Sequence, residues 1–204
     1  RELSWLAFAR RVLALAQDGD MPLLERVKFA GILGMLHDEF FMKRIGGLKR
    51  QIQRGVNKRS LDGLTPAQEL AACRAEILAQ ARELAVLVED ELRPALAAVG
   101  APILSIADLD EESRRQLADV FRRAVLPILT PLAVDAEHPF PFISGLGHNL
   151  AVTLTEKKRQ RFVRIKVPAN RSRWVGVAGG GVVPLEQVIA ANLEELFPRA
   201  RVAG

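Results

Sequence analysis

Leu150-Ala151-Val152-Thr153-Leu154-Thr155, followed by Phe162-Val163-Arg164-Ile165-Lys166-Val167, decides the fold class. In the first run large apolar residues alternate with small or polar ones. In the second, Val163, Ile165 and Val167 face one way while Arg164 and Lys166 face the other. A period of two marks a half-buried strand. Two such runs around a short polar turn, here Glu156 to Arg161, predict an antiparallel hairpin. Trp174-Val175-Gly176-Val177 and Val182-Val183 read as further short strands around Gly179-Gly180-Gly181, a hairpin tip that needs no ligand. A last helix is expected from about Leu185 to Leu196, before Pro198.

Upstream of the hairpin the apolar period is 3.6. Ser4 can cap a first helix to about Asp18, with Trp5, Phe8, Val12 and Leu15 as its stripe. Pro22 suits the first turn of a second helix to about Leu36, carrying Leu23, Val27, Ala30 and Leu33 or Gly34 inward. Gly31 and Gly34 lower its helix propensity and point to close packing. A third helix is expected from about Asp38, with Phe41, Ile45, Leu48 and Ile52 inward. Gly55 to Gly63 reads as a loop. Thr65-Pro66-Ala67-Gln68 then puts a capping Thr, a Pro at the first helical position and a Gln three residues on. The helix it opens runs to about Ala98, with Leu70, Cys73, Ile77, Ala81, Leu84 and Val88 along one side. It is a rod of roughly 50 Å that needs the three earlier helices to cover its stripe. Asp110 caps a fifth helix with Leu117, Val120, Phe121 and Ala124 inward. Pro127 to Leu146, with four prolines, is an ordered extended connection. The expectation is α+β: an antiparallel helical bundle over residues 1–99, then an α+β domain with hairpin strands over 100–204.

The 204 residues suffice for a core without disulfides. The single cysteine, Cys73, excludes a disulfide framework and a Cys-based zinc site, suits a reducing cytosol, and sits on an apolar stripe where packing explains it. There is no run of eighteen apolar residues, and no signal peptide is visible in these residues. Arg1 opens without an initiator Met and Gly204 closely follows a helical pattern, so a segment of a longer protein is expected.

The net charge of +5 is unevenly spread. Residues 42–59 hold seven basic residues and no acid, and residues 157–173 hold eight and no acid, leaving an acidic remainder. Such windows are either solvated faces or seats for a polyanion such as nucleic acid, a membrane surface or polymeric phosphate.

The chain has no GxxxxGK[ST] loop, no GxGxxG after a strand and no GxSxG elbow. Its histidines, His37, His138 and His148, lack metal-ligand spacing, and His138 and His148 suit structural hydrogen bonds. Asp38 and Glu39 could do acid–base work, but nothing specifies it. No catalytic residue and no metal site is expected in these residues, and the segment alone is expected to be inactive.

The order of segments resembles the long, multidomain bacterial polyphosphate kinases. The resemblance begins with Arg1-Glu2-Leu3-Ser4-Trp5-Leu6-Ala7-Phe8, Pro22-Leu23-Leu24-Glu25-Arg26-Val27-Lys28-Phe29 and Asp38-Glu39-Phe40-Phe41-Met42-Lys43-Arg44. It continues through Leu129-Thr130-Pro131-Leu132, His138-Pro139-Phe140-Pro141-Phe142, Asn149-Leu150-Ala151-Val152, Phe162 to Pro168 and Val183-Pro184-Leu185-Glu186. It covers nearly the whole chain, and the RELSWL and DEFF segments together are specific.

The resemblance implies a cytoplasmic enzyme, free or peripherally attached to a membrane, that reversibly moves the terminal phosphate of ATP onto inorganic polyphosphate. The chain would be its helical N-terminal domain and the first part of its head domain, which serves subunit contacts in a homo-oligomer. ATP and Mg2+ would be bound mainly by two C-terminal catalytic domains, where the family's phosphorylated histidine also lies. One family site falls here. The family usually reads Asn-Leu-Asp-Glu-Phe-Phe, and its Asn helps hold adenine. The aligned residues are Leu36-His37-Asp38-Glu39-Phe40-Phe41, so the Asn position is Leu36, which has no hydrogen-bonding side chain. Adenine is then held by apolar contact, or His37 substitutes, or nucleotide use is altered. The alternative function is a non-enzymatic helical module whose basic patches bind nucleic acid. Aromatic residues make up 5% of the chain, with no Tyr, and single-strand binders want stacking platforms, so DNA or RNA is the less favoured partner.

Overall fold

The computed structural model describes residues 1–134, 140–156 and 159–203. The chain divides into two compact units, Arg1–Leu96 and Ala97–Gly204.

The first unit is helical. It contains α1 (Glu2–Gln17), α2 (Leu23–Phe40), α3 (Gly46–Gln53) and α4 (Pro66–Val86). A π-helical turn, Phe41–Ile45, joins α2 to α3, so residues 23–53 form one helical run. The break expected between Leu36 and Asp38 does not exist. Gly34 costs helix only about 1 kcal/mol, and no proline interrupts the run, so packing carries the helix through. Nor do Gly31 and Gly34 serve close packing, since a Cβ at either would meet nothing within 4 Å. Ser4 lies inside α1 rather than capping it, because the helix already starts at Glu2.

The Thr65 cap forms as read. Gln68 N–H donates to Thr65 Oγ1 at 3.3 Å and Thr65 N–H donates to Gln68 Oε1 at 3.0 Å. After α4 a second π turn, Leu87–Leu92, leads into α5 (Arg93–Ala98). Pro94 explains that turn: it has no N–H to donate and its ring crowds the preceding turn, so the helix widens there.

Two apolar clusters fill this unit. One gathers Ala9, Val12, Leu13, Ala16, Ala30, Leu33, Leu87 and Leu92. The other gathers Leu6, Phe40, Ile45, Leu48, Cys73 and Ile77. The inner face of α1 is therefore rotated from the expected stripe, and Phe8 and Leu15 are exposed. On the neighbouring elements Phe41 and Ile52 are exposed as well, and on α4 the inward position is Gln80 rather than Ala81.

The second unit packs helices on an antiparallel sheet. Asp110 caps α6 (Glu111–Val120), with Ser113 N–H donating to its carboxylate at 2.7 Å. The strands β1 (Leu132–Val134), β2 (Asn149–Glu156), β3 (Arg159–Lys166) and β6 (Arg201–Val202) lie in the order β1-β3-β2-β6. The β2–β3 register pairs Val152 with Val163 and Leu150 with Ile165, putting the expected alternation on one inner face. The strands run on to Glu156 and from Arg159, so the turn is shorter than read. β4 (Trp174–Gly176) and β5 (Val182–Pro184) form the second hairpin around the glycine triplet. The last helix divides at Asn192 into α7 (Leu185–Ala191) and α8 (Leu193–Leu196). Leu117, Phe121, Val125, Val152, Ile165, Val183, Leu185 and Ile189 share one core.

Candidate functional site

Leu36 and His37 sit one residue apart on α2, about 100° around its axis. Leu36 is half-buried at the edge of the cluster beneath α1 and α2. His37 shares the buried stripe with Leu33 and Phe40. Its Nε2 lies 2.9 Å from Gln80 Oε1 on α4. Gln80 is fully buried, and its amide nitrogen donates to the Leu6 carbonyl at 2.9 Å and to Glu76 Oε1 at 2.8 Å. Both amide protons are thereby used, so Oε1 accepts and His37 Nε2–H donates to it.

Arg10 on α1 closes the network from outside. Its guanidinium holds Glu76 at 2.7 Å and Glu83 at 3.0 Å. The hydrogen bond from Arg10, aided by Gln80, holds the Glu76 carboxyl below the usual carboxylate range. Three helices are thus tied together by one buried glutamine. Counting apolar letters along α4 could not find it; its i, i+4 spacing from Glu76 on the same face was the only local signal.

Asp38 and Glu39 point outward, and Glu39 pairs with Lys43 one turn on. Trp5 stacks on Phe40 with centroids 4.9 Å apart, fixing α1 against the end of α2. Beyond it, Phe41, Ile45, Ile52, Leu70, Ile77 and Leu78 line an open groove between α3 and α4. Cys73 is buried, and burial pushes its thiol up to about 11, far from a nucleophile. Among the described residues no group of three His, Cys, Asp or Glu side chains is placed to hold a metal ion.

In the second unit Arg173 binds Glu186 at 2.6 Å and also reaches His148 Nε2. Burial is the largest influence and raises the Glu186 carboxyl, but the Arg173 hydrogen bond, a backbone hydrogen bond and the Arg173 charge together outweigh it, and the net direction is down. His148 is therefore part of a structural bracket. His138, Lys157 and Lys158 lie outside the described residues.

Among the described residues, several cations of the basic windows have partners within the chain. Lys43 pairs with Glu39, Arg44 with Glu2, and Arg59 donates to the Gly63 carbonyl. On β3 the alternation sends Arg161 and Arg164 to opposite faces, where Arg161 pairs with Glu156 and Arg164 donates to the Phe142 carbonyl.

The profile described as polyphosphate kinase N-terminal domain matches residues 1–104, and that described as polyphosphate kinase middle domain matches residues 112–204. The chain belongs to the polyphosphate kinase family. A polyphosphate kinase of Mycobacterium avium is 49% identical over 212 residues, covering 97% of this chain and 29% of the relative. That of Streptomyces coelicolor is 47% identical, covering 99% of this chain and 27% of its own length. The chain thus spans under a third of these relatives. The crystal structure of polyphosphate kinase from Porphyromonas gingivalis matches in fold with a TM-score of 0.87 at 24% identity, over all of this chain and 31% of that one. Among the described residues no helix is long and apolar enough to cross a membrane.

Proposed function

We propose that this chain is the amino-terminal part of an ATP:polyphosphate phosphotransferase. The terminal phosphoryl group leaves ATP as ADP and lengthens inorganic polyphosphate by one unit, and the reverse reaction regenerates ATP. The observation that carries this reading is the pair of family profiles tiling the chain in order. Residues 1–99 are the helical N-terminal domain and residues 100–204 the first part of a head domain that serves homo-oligomer contacts. ATP and Mg2+ are held mainly by parts of the enzyme other than these residues. The enzyme works in the cytoplasm, free or peripherally attached to a membrane.

Within the segment, Leu36 and His37 form one wall of the nucleotide site. Leu36 supplies apolar contact to the purine, and His37, whose Nε2 is taken by Gln80, acts by holding Leu36 in place. Apolar contact by a partly buried leucine is worth about 1–2 kcal/mol. An asparagine could add a hydrogen bond to the adenine edge, worth about 1 kcal/mol net. In the full-length protein Leu36→Asn is expected to lower KM for ATP and raise the preference for ATP over GTP, by about three- to tenfold. Steady-state kinetics with both nucleotides, alongside thermal melting, checks this. An unchanged ATP/GTP ratio with a lowered Tm rejects the nucleotide wall and leaves Leu36 as core.

A further inference from the structure

We infer that Gln80 is a positioning residue for the nucleotide wall: its buried amide fixes the His37 ring, and with it the rotation of α2 that presents Leu36. The inference rests on the proposed role of Leu36.

A glutamine with no exposed surface and a histidine that is nearly buried are an unusual pair at the centre of an apolar bundle. Apolar packing is non-directional and lets a helix rock about its axis, whereas hydrogen bonds between buried groups define one arrangement. Here the bonds run from α1 through α4 to α2: Leu6 carbonyl to Gln80 Nε2, Gln80 Oε1 to His37 Nε2. Glu76, itself clamped by Arg10, keeps the amide from flipping, because Gln80 Nε2 must face two acceptors. The lock therefore has a defined sense, and it acts on the residue next to Leu36.

The geometry sets the scale of the effect. A side-chain tip about 5–6 Å from a helix axis moves roughly 1 Å for every 10° of rotation. Displacements of that size in a group that positions a substrate change binding and turnover measurably. A leucine wall depends on such placement, since shape is all it offers to the purine.

The test uses the full-length enzyme carrying His37→Leu and Gln80→Leu together. Removing both partners leaves no orphan among them, because the Leu6 carbonyl lies within α1 and Glu76 keeps Arg10. The double variant is expected to melt close to the parent. Its KM for ATP is expected to rise about three- to tenfold, while its KM for polyphosphate in the reverse reaction stays within about twofold. His37→Leu alone is expected to raise KM for ATP as well, and His37→Gln, which keeps a donor near Gln80 Oε1, to recover most of the loss. A folded double variant with the parent's KM for ATP overturns the inference, as does an equal KM for His37→Leu and His37→Gln. A parent enzyme that makes no polyphosphate from ATP overturns the proposed function and this inference with it; an active parent with an indifferent double variant overturns this inference alone.

Discussion

Single residues in this chain carry roles that their letters conceal. Gly181 is the clearest case. Its φ of +86° is a conformation that side-chain-bearing residues rarely adopt. A Cβ there would also stand 2.6 Å from the Pro102 carbonyl oxygen. That carbonyl accepts from Val182 N–H, and Val182 in turn accepts from Leu104 N–H, so the glycine sits where the 102–104 segment clips onto β5. Gly181→Ala is expected to destabilise the second unit by about 2–3 kcal/mol, through backbone strain and displacement of the clip. Gly179→Ala provides the comparison, because a Cβ there meets nothing within 4 Å and its φ is not positive. Urea unfolding of both variants measures the difference, and equal midpoints would show that the clip carries no strain. The glycine triplet is thus a hairpin tip, as its sequence suggested, but the need for glycine comes from a contact some eighty residues away in the chain.

At the scale of elements, α2 offers a test of what its glycines do. Gly31 is exposed in the middle of a helix with open space where a Cβ would go. Gly31→Ala is therefore expected to stabilise the first unit by about 1 kcal/mol, since the alanine costs less backbone entropy on folding. A lower thermal midpoint would mean that the open face is filled by something else. The features legible in the sequence were those whose causes lie within a few residues. The Thr65–Gln68 box closes over three residues, the Asp110 cap likewise, and the alternation in β2 and β3 fixes their inner face without reference to the rest of the chain. The rest depended on distant partners. Leu132–Val134 reads as a proline-flanked connection but is a strand, because β3, some thirty residues on, offers its edge. The second and third helices read as separate, with the break near Leu36 and Asp38, whereas His37 is a buried position inside one helix, bonded to Gln80 on another. The inward glutamine was invisible for the same reason: nothing in its own helix says that a histidine faces it. Of the candidate site, the family resemblance pointed to Leu36 and His37, while the network that holds His37 was not legible.

The chain divides into two compact units with separate cores, and each holds one tryptophan. Trp5 stacks on Phe40 among the helices of the first unit, and Trp174 lies on β4 of the second. Ile77 is 4% exposed in the cluster with Leu6, Phe40, Leu48 and Cys73. An aspartate there would bury a carboxylate with no designed partner, and the first unit is expected to lose about 3–5 kcal/mol. The second unit's core of Leu117, Phe121, Val152, Ile165 and Val183 draws on none of these residues, so its own stability should be untouched. The experiment places Ile77→Asp in two backgrounds of the 204-residue chain, one with Trp174→Phe and one with Trp5→Phe. Fluorescence-monitored urea unfolding then follows each unit alone. The Trp5 transition is expected to move to much lower urea, or to vanish, while the Trp174 transition holds its midpoint. If both transitions shift together, the two units unfold as one cooperative body; if neither shifts, the α4 stripe does not face the core that the Leu6–Cys73–Ile77 cluster defines.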